Sequence, residues 1–183
     1  SGDQPRTASA KEPATVAAPP ATPPVTYAQP GADKPGEWSL PGRDFGGTRF
    51  SPLDQINSST VKNLHVAWTF STGVLNCHEG QPLVVNNTMY VTTPWPNITY
   101  ALDLTDAHAP AKWAYAPPTA SAAKGEACCD VVNRGSSYGD GKIVWNMLDG
   151  HTVAVDAKTG KLAWSVKLAD INIGETMTMA PFI

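Results

Sequence analysis

A repeated pattern of short strands, polar turns and tryptophans constrains the fold of this chain more than any other feature of its sequence. Residues 100–103 (YALD) precede 112–113 (KW), and residues 153–156 (VAVD) precede 161–164 (KLAW). The tryptophans that end the repeated units are Trp68, Trp113 and Trp164. Their spacing falls near the ~40–50 residues of a four-stranded propeller blade. A tryptophan at one fixed position in each unit predicts a contact between neighbouring blades.

Short alternating runs bounded by Gly, Asn, Asp or Pro indicate an all-β meander. The predicted strands are 65–70, 82–85, 89–92 and 99–102. Asn86-Asn87 and Asp140-Gly141 are typical of tight hairpin turns. Residues 54–64 have apolar positions at roughly helical spacing, which predicts a short helix.

The number of repeats indicates an incomplete propeller. The chain of 183 residues holds roughly two blades and the start of the next. Propellers need about four to eight blades to close the ring. We therefore expect either a fragment of a longer protein or one piece of a propeller that a second chain completes.

The first 36 residues differ in composition from the rest. They are rich in Pro, Ala and Thr, and such a segment buries too little apolar surface to offset the entropy of ordering it. We predict an extended or disordered arm over 1–36, which is either a simple flexible terminus or a tether that wraps a partner. Residues 37–183 form the predicted propeller part.

Charge and hydropathy exclude two classes of partner. The chain has 13 Lys and Arg against 16 Asp and Glu, for a net charge of −3, and it has no basic run. Nucleic acid binding is therefore not expected. No apolar stretch approaches the ~20 residues that a membrane span needs. Because the sequence begins at Ser1 without a leader, we expect a processed, exported protein.

Two of the three cysteines, Cys128 and Cys129, are adjacent within the octapeptide 128–135 (CCDVVNRG). They are either unlinked core thiols or, if joined, part of a small strained ring of the kind that is kept at functional sites. An oxidised pair would imply an oxidising compartment such as the periplasm. The odd count leaves Cys77 as a further thiol.

Together these motifs resemble the N-terminal part of pyrroloquinoline-quinone (PQQ) alcohol dehydrogenases. The resemblance is greatest to the large subunits of methanol dehydrogenases, especially the lanthanide-dependent type, and to quinoprotein ethanol dehydrogenases. The matching segments, in family order, are 42–53, 67–73, 78–80, 128–135, 148–151 and 174–181. The octapeptide is the most specific of them, whereas many propellers share the tryptophan repeat. The resemblance implies an eight-bladed propeller with PQQ near its axis.

The resemblance also implies roles for five residues. Cys128 and Cys129 resemble the vicinal disulfide that packs on one face of PQQ. Arg134 resembles the residue that donates hydrogen bonds to the quinone oxygens, where its positive charge would stabilise negative charge during hydride transfer. Glu79 and Thr178 resemble further polar contacts at the edge of the cofactor.

The resemblance places the metal site outside this chain. The calcium or lanthanide ligands and the catalytic aspartate belong to later blades, and we assign Glu175 no metal role. Cys77 departs from the family pattern, which usually has glycine there. A metal or haem site at Cys77 and His78 is disfavoured, because adjacent ligands suit a tetrahedral site poorly and no Cys-x-x-Cys-His motif is present.

The function implied is oxidation of a primary alcohol to the aldehyde by a periplasmic enzyme that passes electrons to cytochrome c. This chain would supply one face and one edge of the PQQ site and would be inactive alone. The alternative is a non-catalytic, propeller-like scaffold of the cell envelope, which would need neither adjacent cysteines nor Glu79 and Arg134. A separately encoded subunit, completed by a second chain, is the third hypothesis.

Overall fold

The computed structural model describes residues 34–127 and 130–183, and the strands within them form two four-stranded antiparallel sheets. The first sheet contains β1 (Leu83–Val85), β2 (Thr88–Thr92), β3 (Thr99–Asp103) and β4 (Ala111–Tyr115). The second contains β5 (Ser136–Gly139), β6 (Lys142–Asn146), β7 (His151–Asp156) and β8 (Leu162–Lys167). Each sheet is a meander whose strands are ordered as in the sequence, so we call β1–β4 the first blade and β5–β8 the second. The all-β prediction of propeller blades is confirmed.

Tight turns join the first two strands of each blade, as predicted. Asn86 and Asn87 have φ values of +49° and +56°, and Asp140 and Gly141 have φ values of +47° and +70°. Two consecutive residues with positive φ are what a two-residue type I′ hairpin turn requires. These turns set the register of both hairpins, and the alternating burial of β1 and β2 supports it in the first.

Trp113 docks the first blade onto the second. Its indole Nε1 donates a hydrogen bond to the Ala157 carbonyl at 3.0 Å. Gly160 lies directly under the Trp113 ring, so closely that a Cβ on this residue would be 2.7 Å from the ring. The interpretation of the repeated tryptophan as a contact between blades is therefore confirmed for Trp113.

The hydrophobic core lies between the two blades. Leu83, Tyr90, Trp145 and Val155 are buried there. The Tyr90 hydroxyl donates to the Ala157 carbonyl at 3.1 Å, and burial raises the pKa of Tyr90 to about 12. The phenol therefore remains a neutral donor at physiological pH, which suits a position inside the core.

The helix predicted over 54–64 is wrong. The segment contains only one 3-10 turn, Val61–Asn63, which has no buried residues. The Asn57 carboxamide oxygen accepts from the backbone N–H groups of Ser59 and Thr60, and the Thr60 hydroxyl donates to the Gln55 carbonyl at 2.7 Å. These side chains compete for the backbone groups that a helix would use.

The remaining helical structure is short. The helix α1 (Ala123–Glu126) lies in the connection between the blades, and a 3-10 turn spans Ile171–Ile173. Among the described residues, no helix has the length and apolarity needed to cross a bilayer.

The strand predicted over 65–70 is also wrong. This segment is not paired with any strand in the described part of the chain, and Val66 is 76% exposed. It is attached to the first blade by side chains, since the rings of Phe70 and Tyr100 lie 5.1 Å apart and the Tyr100 hydroxyl donates to the Thr72 carbonyl at 2.9 Å. An alternating pattern forms a strand only where a neighbouring strand supplies hydrogen-bond partners. The predicted arm, 1–36, lies outside the described residues except for 34–36.

The turn after β7 makes stability depend on pH. The Thr159 hydroxyl and backbone N–H both donate to the Asp156 carboxylate at 2.8 Å, and these bonds hold the pKa of Asp156 below its usual value. A lowered folded-state pKa means that the carboxylate stabilises the fold above its ordinary pKa and that this contribution is lost as the pH falls through the folded-state value. We expect Asp156→Asn to lower Tm slightly at neutral pH, and the difference from wild type to vanish once the pH has fallen below the lowered folded-state pKa of Asp156.

Thermal unfolding followed by circular dichroism at a series of pH values measures this difference. Asp54→Asn is the control, since no hydrogen bond to the carboxylate of Asp54 is present in the described structure. A Tm difference for Asp156→Asn that stayed constant from neutral to acidic pH would contradict the prediction.

Candidate functional site

Arg134 lies two residues before β5, where two backbone segments approach each other closely. Gly135, the next residue, forms a parallel bridge with Gln81. Gly135 has a φ of +111°, and a Cβ there would lie 3.1 Å from both the backbone nitrogen and the oxygen of Gln81. Only glycine satisfies both conditions without strain. This approach places Arg134 beside the segment that contains Glu79 and leads into β1.

The side chains of Glu79, Arg134 and Thr178 come together at this end of the blades. The Arg134 Nη1 donates to the Thr178 hydroxyl at 2.7 Å, and the Arg134 backbone N–H donates to the Thr178 carbonyl at 2.9 Å. The Arg134 Nε lies 3.7 Å from a carboxylate oxygen of Glu79. Three predicted site residues, distant in sequence, therefore form one cluster.

The cluster is open to a ligand. The side chains of Arg134 and Glu79 are 51% and 46% exposed, and at 3.7 Å their ion pair is too long for a strong hydrogen bond. An exposed pair of this kind contributes little to stability, about 0–1 kcal/mol. A guanidinium has five N–H donors, so donors remain after the bond to Thr178. The arrangement suits recognition of an oxygen-rich group better than stabilisation of the fold.

The remaining predicted contacts, Cys128 and Cys129, lie outside the described residues, and so does their predicted disulfide. The residues that follow are described. Val131 is buried in a small apolar cluster with Ala123 and Leu148. Asp130 is exposed and has a φ of +63°. The role of the two cysteines remains a prediction.

Cys77, His78 and Glu175 show no metal-binding arrangement. Cys77 is an exposed free thiol, and His78 Nε2 lies 3.0 Å from the Thr72 hydroxyl. The Glu175 carboxylate accepts from the backbone N–H of Asp170 at 2.8 Å. Among the described residues, no group of three or more His, Cys, Asp and Glu side chains could hold a metal ion.

Two asparagines that sequence reasoning missed lie behind the cluster. Asn133 and Asn146 are buried, and both make side-chain hydrogen bonds to backbone groups near Arg134 and Thr178. The only sequence signal for either residue was the position of Asn133 directly after the apolar pair 131–132 within the octapeptide.

Two adjacent four-stranded antiparallel meanders that dock through a tryptophan have the architecture of neighbouring β-propeller blades. Residues 38–166 match the family model described as "PQQ: Glucose/ethanol/alcohol dehydrogenase, beta-propeller domain". The chain belongs to this family, which confirms the resemblance seen in its motifs.

Named relatives agree with the family assignment. The chain is 57% identical over 134 residues to the lanthanide-dependent methanol dehydrogenase of Methylorubrum extorquens, covering 73% of this chain and 22% of that protein. It is 49% identical over 146 residues to methanol dehydrogenase (cytochrome c) subunit 1 of Methylobacterium organophilum, covering 76% and 23%. A solved europium-containing methanol dehydrogenase superposes with a TM-score of 0.80 at 51% identity, over 82% of this chain and 26% of that one. The chain therefore spans about a quarter of the length of these proteins.

Proposed function

We propose that this chain supplies part of the PQQ site of a dehydrogenase that oxidises a primary alcohol, methanol or ethanol, to the aldehyde. The observation that carries the proposal is the convergence of Glu79, Arg134 and Thr178 in one half-exposed cluster. The names of the relatives support alcohol oxidation as the reaction class.

The chemistry of the donor set fits PQQ, which is planar and carries several carbonyl and carboxylate oxygens. The Arg134 guanidinium is planar and always charged, and the Thr178 hydroxyl fixes one of its Nη atoms at 2.7 Å. The Glu79 carboxylate offers the matching acceptor for a ring N–H of a ligand. The cluster thus presents both a cationic donor and an anionic acceptor toward solvent.

When bound, PQQ supplies the quinone carbonyl that accepts a hydride from the alcohol. Arg134 would donate to the quinone oxygens and stabilise the negative charge that develops on them. Thr178 would hold the guanidinium at the correct angle, and Glu79 would contact the cofactor edge and limit the rotation of Arg134 through their ion pair.

Further parts of the site are proposed from the family. Cys128 and Cys129 would form a vicinal disulfide that packs on one face of the cofactor, which requires an oxidising compartment such as the periplasm. A calcium or lanthanide ion would be held by residues outside this chain. Cytochrome c would accept the electrons.

The outer face of β8 supports the proposal that further blades complete the propeller. Leu162, Trp164 and Val166 are 51%, 42% and 44% exposed on this strand. Trp164 pairs with Ala154 beside a register shift in β7, as Trp113 pairs with Ala101 in the first blade. A further blade, in the same polypeptide or in a second chain, would cover Trp164 as the second blade covers Trp113.

Purification of the complete protein without denaturation tests the proposed function. We expect PQQ absorbance, and reduction of an artificial dye that depends on methanol or ethanol. Removal of the metal with a chelator should abolish dye reduction, and readdition of calcium or a lanthanide shows which ion restores it. A protein without PQQ and with free thiols at Cys128 and Cys129 would contradict the proposal and favour the envelope scaffold.

A further inference from the structure

Asn133 ties the loop that carries Arg134 to the second blade. Its side chain is fully buried. The carboxamide oxygen accepts from the Gly135 N–H at 2.8 Å, and Nδ2 donates to the Asn146 carbonyl at 2.8 Å. One end of the side chain thus bonds to the residue after Arg134 and the other to the end of β6, so the backbone at Arg134 has little freedom to shift.

Asn146, at the end of β6, ties down the segment that carries Thr178. Its Nδ2 donates to the Met179 carbonyl at 3.1 Å, and its oxygen accepts from the Thr152 hydroxyl at 2.7 Å. The side chain is 6% exposed. Through Asn146, the segments that carry Arg134 and Thr178 are attached to the same strand end.

We infer that Asn133 and Asn146 are positioning residues for the cofactor contact, an inference that rests on the proposed function. They act through Arg134 and Thr178, whose 2.7 Å bond needs both segments in register. A hydrogen bond of this length is lost after a displacement of about 1 Å. Because the Arg134 side chain is half exposed, the contacts with Thr178 and Glu79 are what orient its guanidinium, and the two asparagines hold the segments that make the Thr178 contact.

Asn97 provides a matched comparison for a buried asparagine without this role. It is also fully buried, its oxygen accepts from the Leu148 N–H at 3.0 Å, and its Nδ2 donates to the Thr93 carbonyl at 3.5 Å. It contacts none of Glu79, Arg134 and Thr178. Replacement of Asn97 therefore reports the loss of stability from a changed buried site, together with the backbone cost of serine at a φ of +63°, without disturbing the cluster.

The test compares Asn133→Ser with Asn97→Ser in the complete dehydrogenase after removal of its cofactor. Free PQQ is titrated and its binding followed by absorbance, while thermal unfolding gives Tm for each variant. We expect both substitutions to lower Tm, and only Asn133→Ser to weaken PQQ binding, by about tenfold. Asn146→Ser, which breaks the bond to Met179, is the second variant if Asn133→Ser folds poorly.

A double substitution separates positioning from general damage. Thr178→Val removes the acceptor of the Arg134 bond, so adding Asn133→Ser to it should weaken PQQ binding by less than about twofold more. Equal losses for Asn133→Ser and Asn97→Ser, or full additivity with Thr178→Val, would overturn the inference.

A crystal structure of each serine variant gives a readout that needs no cofactor. The distance from Arg134 Nη1 to Thr178 Oγ1 should exceed hydrogen-bond range in Asn133→Ser and stay near 2.7 Å in Asn97→Ser. An unchanged distance in Asn133→Ser would refute the positioning role even if wild type bound PQQ. Failure of the wild-type protein to bind PQQ would instead refute the proposed function. The distance from Arg134 Nη1 to Thr178 Oγ1 in the variants would still show whether Asn133 positions Arg134.

Discussion

Under the proposed function, an Arg134→Lys variant of the complete protein is expected to lose about 100- to 1,000-fold in kcat while keeping its thermal stability. The guanidinium bonds to Thr178 through Nη1 at 2.7 Å and lies 3.7 Å from Glu79 through Nε, so its plane is restrained from two sides. An ammonium keeps the charge, but it is a compact donor that cannot make both contacts and also donate to a quinone oxygen. Because the Arg134 side chain is half exposed, its replacement leaves no cavity in the core.

Arg43→Lys is the matched control for this prediction. Arg43 donates through Nη1 to the Phe50 carbonyl at 2.7 Å in an exposed loop, and it contacts none of the three predicted site residues. Alcohol-dependent dye reduction measured after loading with PQQ and metal gives kcat, and thermal unfolding gives Tm for both variants. Equal kcat values for Arg134→Lys and Arg43→Lys would exclude Arg134 from the reaction.

The meander was predictable because its signals are local. Asn86-Asn87 and Asp140-Gly141 accept the positive φ values of tight hairpin turns, and the runs beside Asn86-Asn87 alternate as half-buried strands do. The repeated tryptophan also gave the correct contact between the blades, since Trp113 docks on the turn of the next blade. Turn residues in both blades, and side-chain alternation in the first, thus indicate the hairpins without information from distant parts of the chain.

The two errors arose where local signals compete with tertiary structure. Residues 54–64 have helical spacing, but the side chains of Asn57 and Thr60 bond to the backbone and leave one 3-10 turn. Residues 65–70 alternate as a strand does, but no other described strand offers hydrogen bonds to them. Spacing alone does not reveal either competing side-chain bonds or the presence of a partner strand.

The sequence named three residues that the structure brings together, but it did not show their contacts, and their roles remain predictions. Family motifs singled out Glu79, Arg134 and Thr178, yet nothing in the sequence shows that Arg134 contacts the other two. That contact depends on the close approach of Gly135 to Gln81, which is a property of the folded blades. The buried asparagines behind the cluster were missed for the same reason, since neither Asn133 in its loop nor Asn146 at the end of β6 shows its burial in the sequence.

Gly160→Ala is expected to destabilise the protein by about 3 kcal/mol, because two costs add at this position. The residue has a φ of +68°, and placing alanine in this region costs about 1 kcal/mol. A Cβ would also lie 2.7 Å from the Trp113 ring, and such overpacking adds about 1–3 kcal/mol. Gly141→Ala is the matched control, since Gly141 has a φ of +70° and a Cβ there would meet nothing within 4 Å.

Unfolding of the complete protein in urea, followed by circular dichroism, measures both variants, and Gly141→Ala should cost only about 1 kcal/mol. A double-mutant cycle that combines Gly160→Ala with Trp113→Ala shows whether the additional loss of unfolding free energy comes from the contact between the blades. In that background the ring is absent, so Gly160→Ala should also cost about 1 kcal/mol. If Gly160→Ala and Gly141→Ala lowered the free energy of unfolding equally in the wild-type background, the Trp113 ring would move aside for the added methyl group at no cost in stability. Trp113 would then only fill space between the blades, and the repeated tryptophan would not be the contact that joins one blade to the next.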